Sequence, residues 1–301
     1  MERCLHLAKT LARSPSGVLF SGESGTGKEL IAVFLYQHSP RHDKPFLSLN
    51  CGLLHEGLQN SGLFGYARAA FIGSLESRSG YFEEAHTGTL FLDEIGELSP
   101  KAQVALLRVL ETGGINWIGE AWERRVDVRV IAATHRNLDQ MVEGGKFLEG
   151  LFFRLNILSL HLPPLRERGH DVLILAENFL KQFCQQYQKP PMGLGAEVRR
   201  MFLSYRWPGN VRELKNALER AVLIGASREI QLPDLPECLT AKALNPHAIH
   251  TEKPSKKQKG PLSREEALEA LEKAEGNRSE AARILGVARS TLWRVLNREG
   301  N

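Results

Sequence analysis

Gly22-Glu23-Ser24-Gly25-Thr26-Gly27-Lys28 fits the pattern G-x-x-x-x-G-K of a phosphate-cradling loop. It follows an apolar run, Val18-Leu19-Phe20, and precedes a helical pattern carrying Leu30, Ile31, Phe34 and Leu35. The chemistry needs that placement. Glycines let backbone N–H groups turn toward an anion without a Cβ clash. The start of the following helix adds its positive end, and Lys28 adds a point charge for the outer phosphates. The plain alternative is a chance glycine-rich turn between a strand and a helix. Glu29 stands where a Ser or Thr usually helps to hold magnesium.

Downstream, Thr89-Leu90-Phe91-Leu92 reads as a buried strand that ends in Asp93 and Glu94. An apolar strand that delivers acids at its C-terminal tip suits the crevice beside such a loop. Asp93 is expected to hold Mg²⁺, directly or through water, and Glu94 to polarise an attacking water as general base. Alone, the two acids would read as a solvated strand end. Together with the loop they predict a bound nucleotide, with ATP and Mg²⁺ as the cofactors.

The chain has 301 residues and is 42% hydrophobic, enough for one sizeable core and a smaller second unit. Its net charge of +4 is compatible with nucleic acid without requiring it. Cys4, Cys51, Cys184 and Cys238 are scattered and form no metal-type pair, so reduced thiols are expected rather than a disulfide framework. No apolar run reaches membrane-spanning length and the N-terminus is no signal peptide. A cytoplasmic protein without a membrane partner is expected.

Residues 1–163 alternate helical patterns with short apolar strands near 18–21, 46–50, 89–92, 126–133 and 157–162. Such alternation predicts an α/β fold with a parallel sheet covered by helices. Residues 164–238 show helical periodicity and no convincing strand. Residues 239–261 carry Pro246, Pro254, Gly260 and Pro261 with Lys253, Lys256, Lys257 and Lys259, and read as a flexible basic linker. Its charge suits either DNA or a solubilising tether.

Residues 262–301 are helical again. Ser263-Arg264-Glu265-Glu266 is a capping box that opens a helix with Ala267, Leu268 and Leu271 on one face. After Gly276-Asn277, a short helix carries Ala281, Ala282 and Leu285, and Gly286 permits a tight turn into a third helix from Arg289. This reads as a helix-turn-helix. Arg283, Arg289, Arg294 and Arg298 face no acid within that span. Arg289, Ser290, Thr291, Arg294 and Asn297 are the candidates for contact with double-stranded DNA. A generic three-helix interaction module is the plainer alternative. So thin a core argues for pairing with a second copy.

With a phosphate loop and a helix-turn-helix in one chain, the sequence resembles the AAA+ bacterial enhancer-binding proteins, the sigma-54-dependent transcriptional activators. The matching strings are GESGTGKE at 22–29, LFLDEIGEL at 90–98, IAATHRNL at 131–138, LPPLRER at 162–168 and WPGNVREL at 207–214. The last forty residues resemble the Fis-type helix-turn-helix of that family. The resemblance implies a AAA+ core over 1–163, a helical lid over 164–238 and DNA binding over 262–301. It also accounts for Glu29, which the family shares. It implies that Asn50 restrains the catalytic Glu94 until a partner engages, and that Thr134 and His135 form the first sensor. Arg154 would be the arginine finger to a neighbouring subunit's γ-phosphate, and Arg212 the second sensor. Read from the residues alone, Arg212 lies in a first helical turn, with Asn210 and Glu213 as an Asn-x-x-Glu capping pattern. An arginine there opposes the helix dipole unless an anion sits nearby. Finger chemistry in trans implies a homo-oligomer, from a dimer to a hexameric ring, acting on RNA polymerase holoenzyme.

The chain departs from the family at its partner-facing surfaces. The sigma-contacting loop, Gly-Ala-Phe-Thr-Gly-Ala in the family, is here Ala69-Ala70-Phe71-Ile72-Gly73-Ser74. Phe71 survives; the threonine hydroxyl and the first glycine are gone, so Ala69 restricts a loop that must swing. Near the finger, Leu148 and Gly150 stand where the family has an arginine and an aspartate, and Gly62 replaces an acid. Two readings stay open: a nucleotide-driven oligomer that remodels sigma-54 promoter complexes, or a regulator that works through DNA occupancy with another sigma factor, nucleotide serving assembly only. The first expected strand starts at Val18, with no sensory domain and no adenine-holding segment before it. This leaves either a fragment of a longer regulator or regulation in trans.

Overall fold

The computed structural model describes residues 1–70 and 76–244, and beyond them residues 270–272, 274, 277 and 285. Five strands form the central sheet: β1 (Val18–Ser21), β2 (Phe46–Asn50), β3 (Thr89–Asp93), β4 (Arg129–Thr134) and β5 (Ser159–His161). They lie all parallel in the order β2-β3-β4-β1-β5. Helices cover both faces, which is why β3 and β4 are continuous buried runs rather than alternating ones. Register then fixes the site, because Asn50 pairs with Asp93 and Ser21 with both Thr134 and His161 at one edge of the sheet.

On one face, α1 (Glu2–Ala12) and α2 (Lys28–Gln37) bury Ala8, Ala12, Ile31 and Leu35 against Phe20 and Phe91. On the other, α3 (Glu56–Phe64), α4 (Pro100–Thr112) and α5 (Glu149–Leu155) bury Leu63, Leu106 and Leu151 against Leu90 and Leu92. The boundaries of α4 follow from its sequence: the Ser99 side chain accepts from the Ala102 N–H, Pro100 opens the first turn, and Gly113 at φ 69° ends it. α1 is pinned by Arg129, whose buried guanidinium donates to the carbonyls of Leu11, Ala12 and Ser16. Burial, then Arg41, lowers its pKa to about 10.

The lid consists of α6 (Asp171–Gln186), α7 (Ala196–Ser204), α8 (Asn210–Ile224) and α9 (Glu237–Leu244). Its core centres on Trp207, 1% exposed, with Phe202 and Tyr205 edge-on at 5.1 Å between ring centroids. The indole N–H donates to the Phe202 carbonyl at 3.0 Å. Trp207→Ala is expected to cost about 3–5 kcal/mol through the cavity it opens. Denaturant titration should show the loss as a lower midpoint; an unchanged midpoint would contradict this packing.

Three features differ from the sequence expectation. The lid is not wholly helical: Gly193–Leu194 and Glu229–Ile230 form a parallel two-residue ladder. Two residues give no period to read, and what the ladder does is pin buried Leu194 and Ile230 into the lid core. The expected linker start at 239 falls inside α9, because Leu239 is buried in that core. β4 begins at Arg129, three residues later than expected.

The chain divides into two compact units, Met1–Leu244 and Asn245–Asn301. In the second, residues 270–272 and Leu285 are helical, and Ala270 and Ala274 are buried. The expected DNA contacts Arg289, Ser290, Thr291, Arg294 and Asn297 lie outside the described residues, as do residues 245–261 of the expected linker. So do Phe71, Ile72, Gly73 and Ser74 of the expected contact loop. At that loop's base, Gly65–Tyr66 pairs antiparallel with Arg78–Ser79. Ala69 there adopts φ 63°, a left-handed conformation that costs a residue with a Cβ about 1–2 kcal/mol. Among the described residues no helix is long and apolar enough to cross a membrane.

Candidate nucleotide site

The loop between β1 and α2 turns on three glycines at positive φ, Gly22 at 148°, Gly25 at 78° and Gly27 at 97°. A Cβ built on Gly27 meets nothing within 4 Å, so open space lies beside the start of α2. Lys28 is 6% exposed and its Nζ donates to the carbonyls of Gly22 at 3.0 Å and Glu23 at 3.2 Å. Burial pushes its pKa down, and Glu94 and Asp93 oppose that shift. The Thr26 hydroxyl donates to the Glu23 carbonyl at 2.8 Å, and the Ser24 hydroxyl accepts from Arg212. With those side chains engaged inside the protein, backbone N–H groups and Lys28 are what the loop offers an anion. Glu29 is exposed in the first turn of α2.

The two acids stand at the tip of β3. Burial, then the neighbouring Glu94, raises the Asp93 pKa, while the Glu94 N–H donates to Asp93 Oδ1 at 3.0 Å. Glu94 itself sits at φ 54°, a strained conformation of the kind that collects at functional sites. Its carboxylate is held by His135, with Nδ1 at 2.5 Å from Oε2. Asn50, expected to restrain Glu94, has its Oδ1 on the Gly52 N–H at 2.9 Å, where it caps a short turn. Thr134 is buried and accepts from the Arg136 N–H, so of the sensor pair it is His135 that reaches Glu94. Among the described residues no group of three or more His, Cys, Asp or Glu forms a metal cluster.

The lid closes the loop from the other side. Arg212 Nη1 donates to Ser24 Oγ at 2.9 Å. The cap of α8 differs from the sequence pattern: Glu213 Oε2 accepts from the Gly209 N–H at 2.8 Å, while Asn210 is buried at φ 52° with its amide directed to the loop. Arg154 donates through Nε and Nη2 to the Leu110 carbonyl near the C-terminal end of α4, where a cation complements the helix dipole. The sequence assigns no role to Arg166 or Arg168 and reads Asn210 only as a cap, yet all three reach the loop. The strings LPPLRER and WPGNVREL contained them, but only folding shows where their side chains go.

Arg166 grips Glu23 with two bonds, at 2.7 and 2.9 Å. That guanidinium, then the Asn210 amide, lowers the Glu23 pKa from 4.5 to about 2. A carboxyl lowered in the folded state contributes stability that is present above its unfolded pKa and lost as pH falls through the folded one. The Glu23 contribution is therefore full above about pH 4.5 and fades toward pH 2. Carboxyl NMR should show Glu23 titrating near pH 2, and Arg166→Gln should move the midpoint up. A midpoint already at the ordinary value in the unmodified chain would refute the pairing.

A parallel sheet with a phosphate loop after β1, two acids at the tip of β3 and a helical lid over the loop defines a P-loop fold of the AAA+ type. Comparison with known proteins places it further. The sigma-54 interaction domain family matches residues 1–161, the AAA+ ATPase lid domain family residues 166–252, and the Fis family of bacterial regulatory proteins residues 263–298. The transcriptional regulatory protein ZraR of Salmonella typhimurium is 42% identical over 301 residues, covering 99% of this chain and 67% of that protein. The regulatory protein AtoC of Escherichia coli K12 is 41% identical over 304 residues, covering 100% and 66%. The crystal structure of NtrX from Brucella abortus in complex with ATP superposes with a TM-score of 0.74 at 29% identity, covering 98% and 66%. The chain belongs to the family of sigma-54-dependent transcriptional regulators, and it spans about two thirds of the length of these relatives.

Proposed function

We propose that the chain binds ATP with Mg²⁺, hydrolyses it, and uses nucleotide-dependent self-assembly to act on sigma-54 promoter complexes from a DNA site. The observation that carries the reading is the meeting of Lys28, Asp93, Glu94 and Arg212 around one glycine loop. When bound, the nucleotide supplies the phosphoanhydride and its cation the charge that screens it. Lys28 and the loop N–H groups hold the phosphates. Asp93, a carboxylate destabilised by burial and by Glu94, is the group a divalent cation would relieve. Glu94 orients a water and takes its proton at a carboxylate oxygen. Arg212 adds charge from the lid, and Arg154 leaves the Leu110 carbonyl for a neighbouring subunit's nucleotide. Arg289, Ser290, Thr291, Arg294 and Asn297 contact duplex DNA, and the protein works in the cytoplasm.

Capture of purified sigma-54 in the presence of ADP–metal fluoride tests the partner, run beside a variant carrying Ala69→Gly and Ile72→Thr. Capture by the unmodified chain supports sigma-54 remodelling. Capture by the variant alone supports the second reading, in which the protein regulates through DNA occupancy with another sigma factor. The strained φ of Ala69 favours that second reading, since glycine would occupy the same turn without cost.

A further inference from the structure

Three carbonyls of the phosphate loop accept hydrogen bonds from the lid. Asn210 Nδ2 donates to the Ser24 carbonyl at 3.0 Å, the Val211 N–H to that of Gly25 at 3.0 Å, and Arg168 Nη2 to that of Thr26 at 2.7 Å. A trans peptide that turns its C=O one way turns its N–H the other. Lid donors on the Ser24 and Thr26 carbonyls therefore keep the N–H groups of Gly25 and Gly27 on the opposite side of the loop. The packing leaves no slack, because a Cβ on Gly25 would lie 2.4 Å from the Gly209 carbonyl oxygen.

Asn210 commits its whole amide to this contact. Besides Ser24, Nδ2 reaches Glu23 Oε2 at 3.1 Å, and Oδ1 accepts from the Leu165 N–H at 2.8 Å. It is fully buried and at φ 52°, a conformation that Asn and Gly tolerate best. Arg168 is buried as well, its Nε on the Pro163 carbonyl at 2.9 Å. At the exposed rim, the two-pronged Arg166–Glu23 pair closes the contact.

We infer that Asn210, Arg168 and Arg166 are positioning residues for the nucleotide, which clasp the phosphate loop to the lid and so set its affinity for phosphates. The inference rests on the nucleotide reading above. Asn210 and Arg168 set the loop's peptide directions before nucleotide arrives, and Arg166 is the part that opens to solvent. By reciprocity, whatever tightens the docked lid on nucleotide binding must raise nucleotide affinity by the same factor when the lid is docked in advance.

Two variants test it. Arg166→Gln alters only the exposed pair. Asn210→Gly removes the amide while keeping a backbone free to hold positive φ. Each is compared with the unmodified chain by titration with N-methylanthraniloyl ATP, and by hydrogen exchange at the Val211 amide with and without a non-hydrolysable ATP analogue. The unmodified chain should gain Val211 protection on binding. Arg166→Gln should weaken binding about tenfold and Asn210→Gly more, within the usual range of such couplings, and both should lose the gain in protection. A purely structural role lowers melting temperature equally with and without nucleotide and leaves affinity and the protection gain intact; that result overturns the clasp. If Asn210→Gly does not fold, Arg166→Gln decides alone. If the unmodified chain binds no nucleotide, the nucleotide reading fails and the clasp with it, an outcome visible before any variant is made.

Discussion

Lys28→Ala is expected to weaken ATP binding by at least about 100-fold, the scale of charge-assisted hydrogen bonds lost from a desolvated site. The reasoning starts from burial. A lysine 6% exposed has little water around its ammonium, and the two carbonyls it contacts satisfy part of its hydrogen-bonding capacity without neutralising its charge. Its pKa is lowered for that reason, and Asp93 and Glu94 offset only part of the shift. A phosphate is the partner that would complete the site, and a Cβ on Gly27 would meet nothing within 4 Å, so the loop is open there. Titration with a fluorescent ATP analogue measures the loss. Melting temperature separates it from collapse of the loop, because the alanine chain should remain folded and simply lose its stabilisation by nucleotide. Unchanged affinity would remove Lys28 from the phosphate site.

What could be read from the sequence was local in character. The glycine loop, the apolar strands and the acid pair at 93–94 are contiguous strings whose chemistry depends on neighbours in the chain, and the fold places them at one sheet edge. Tertiary contacts were not legible in the same way. Asn50 and His135 both sit at strand ends, and only the fold shows that His135 is hydrogen-bonded to Glu94 while Asn50 Oδ1 takes the Gly52 N–H. The Asn-x-x-Glu pattern at 210–213 reads as a cap, yet the cap acceptor serves Gly209, and Asn210 is drawn off by Ser24 and Leu165 from distant parts of the chain. Glu23 belongs to the loop string, but its carboxylate is directed to Arg166, 143 residues away. The two-residue ladders escaped because two residues carry no period.

Glu94→Gln should leave nucleotide affinity nearly unchanged and lower turnover by about 10²–10⁴-fold, the usual contribution of a general base. Glutamine keeps the size of the side chain and the capacity to hydrogen-bond His135, so the strained backbone at φ 54° has the same support. What it loses is the ability to accept a proton from the attacking water. Asp93 cannot replace it. Its Oδ1 is already engaged by the Glu94 N–H, and a cation at that position would withdraw its remaining lone pairs. The measurement pairs analogue titration with phosphate release. Binding and turnover falling together would mean that Glu94 shapes the site rather than serving as base. Turnover surviving at the original rate would move the base elsewhere. His135→Ala then separates restraint from catalysis. With the carboxylate intact but no longer held at 2.5 Å, basal turnover should rise if the His135 contact keeps Glu94 from its water, and fall if that contact is what aims it.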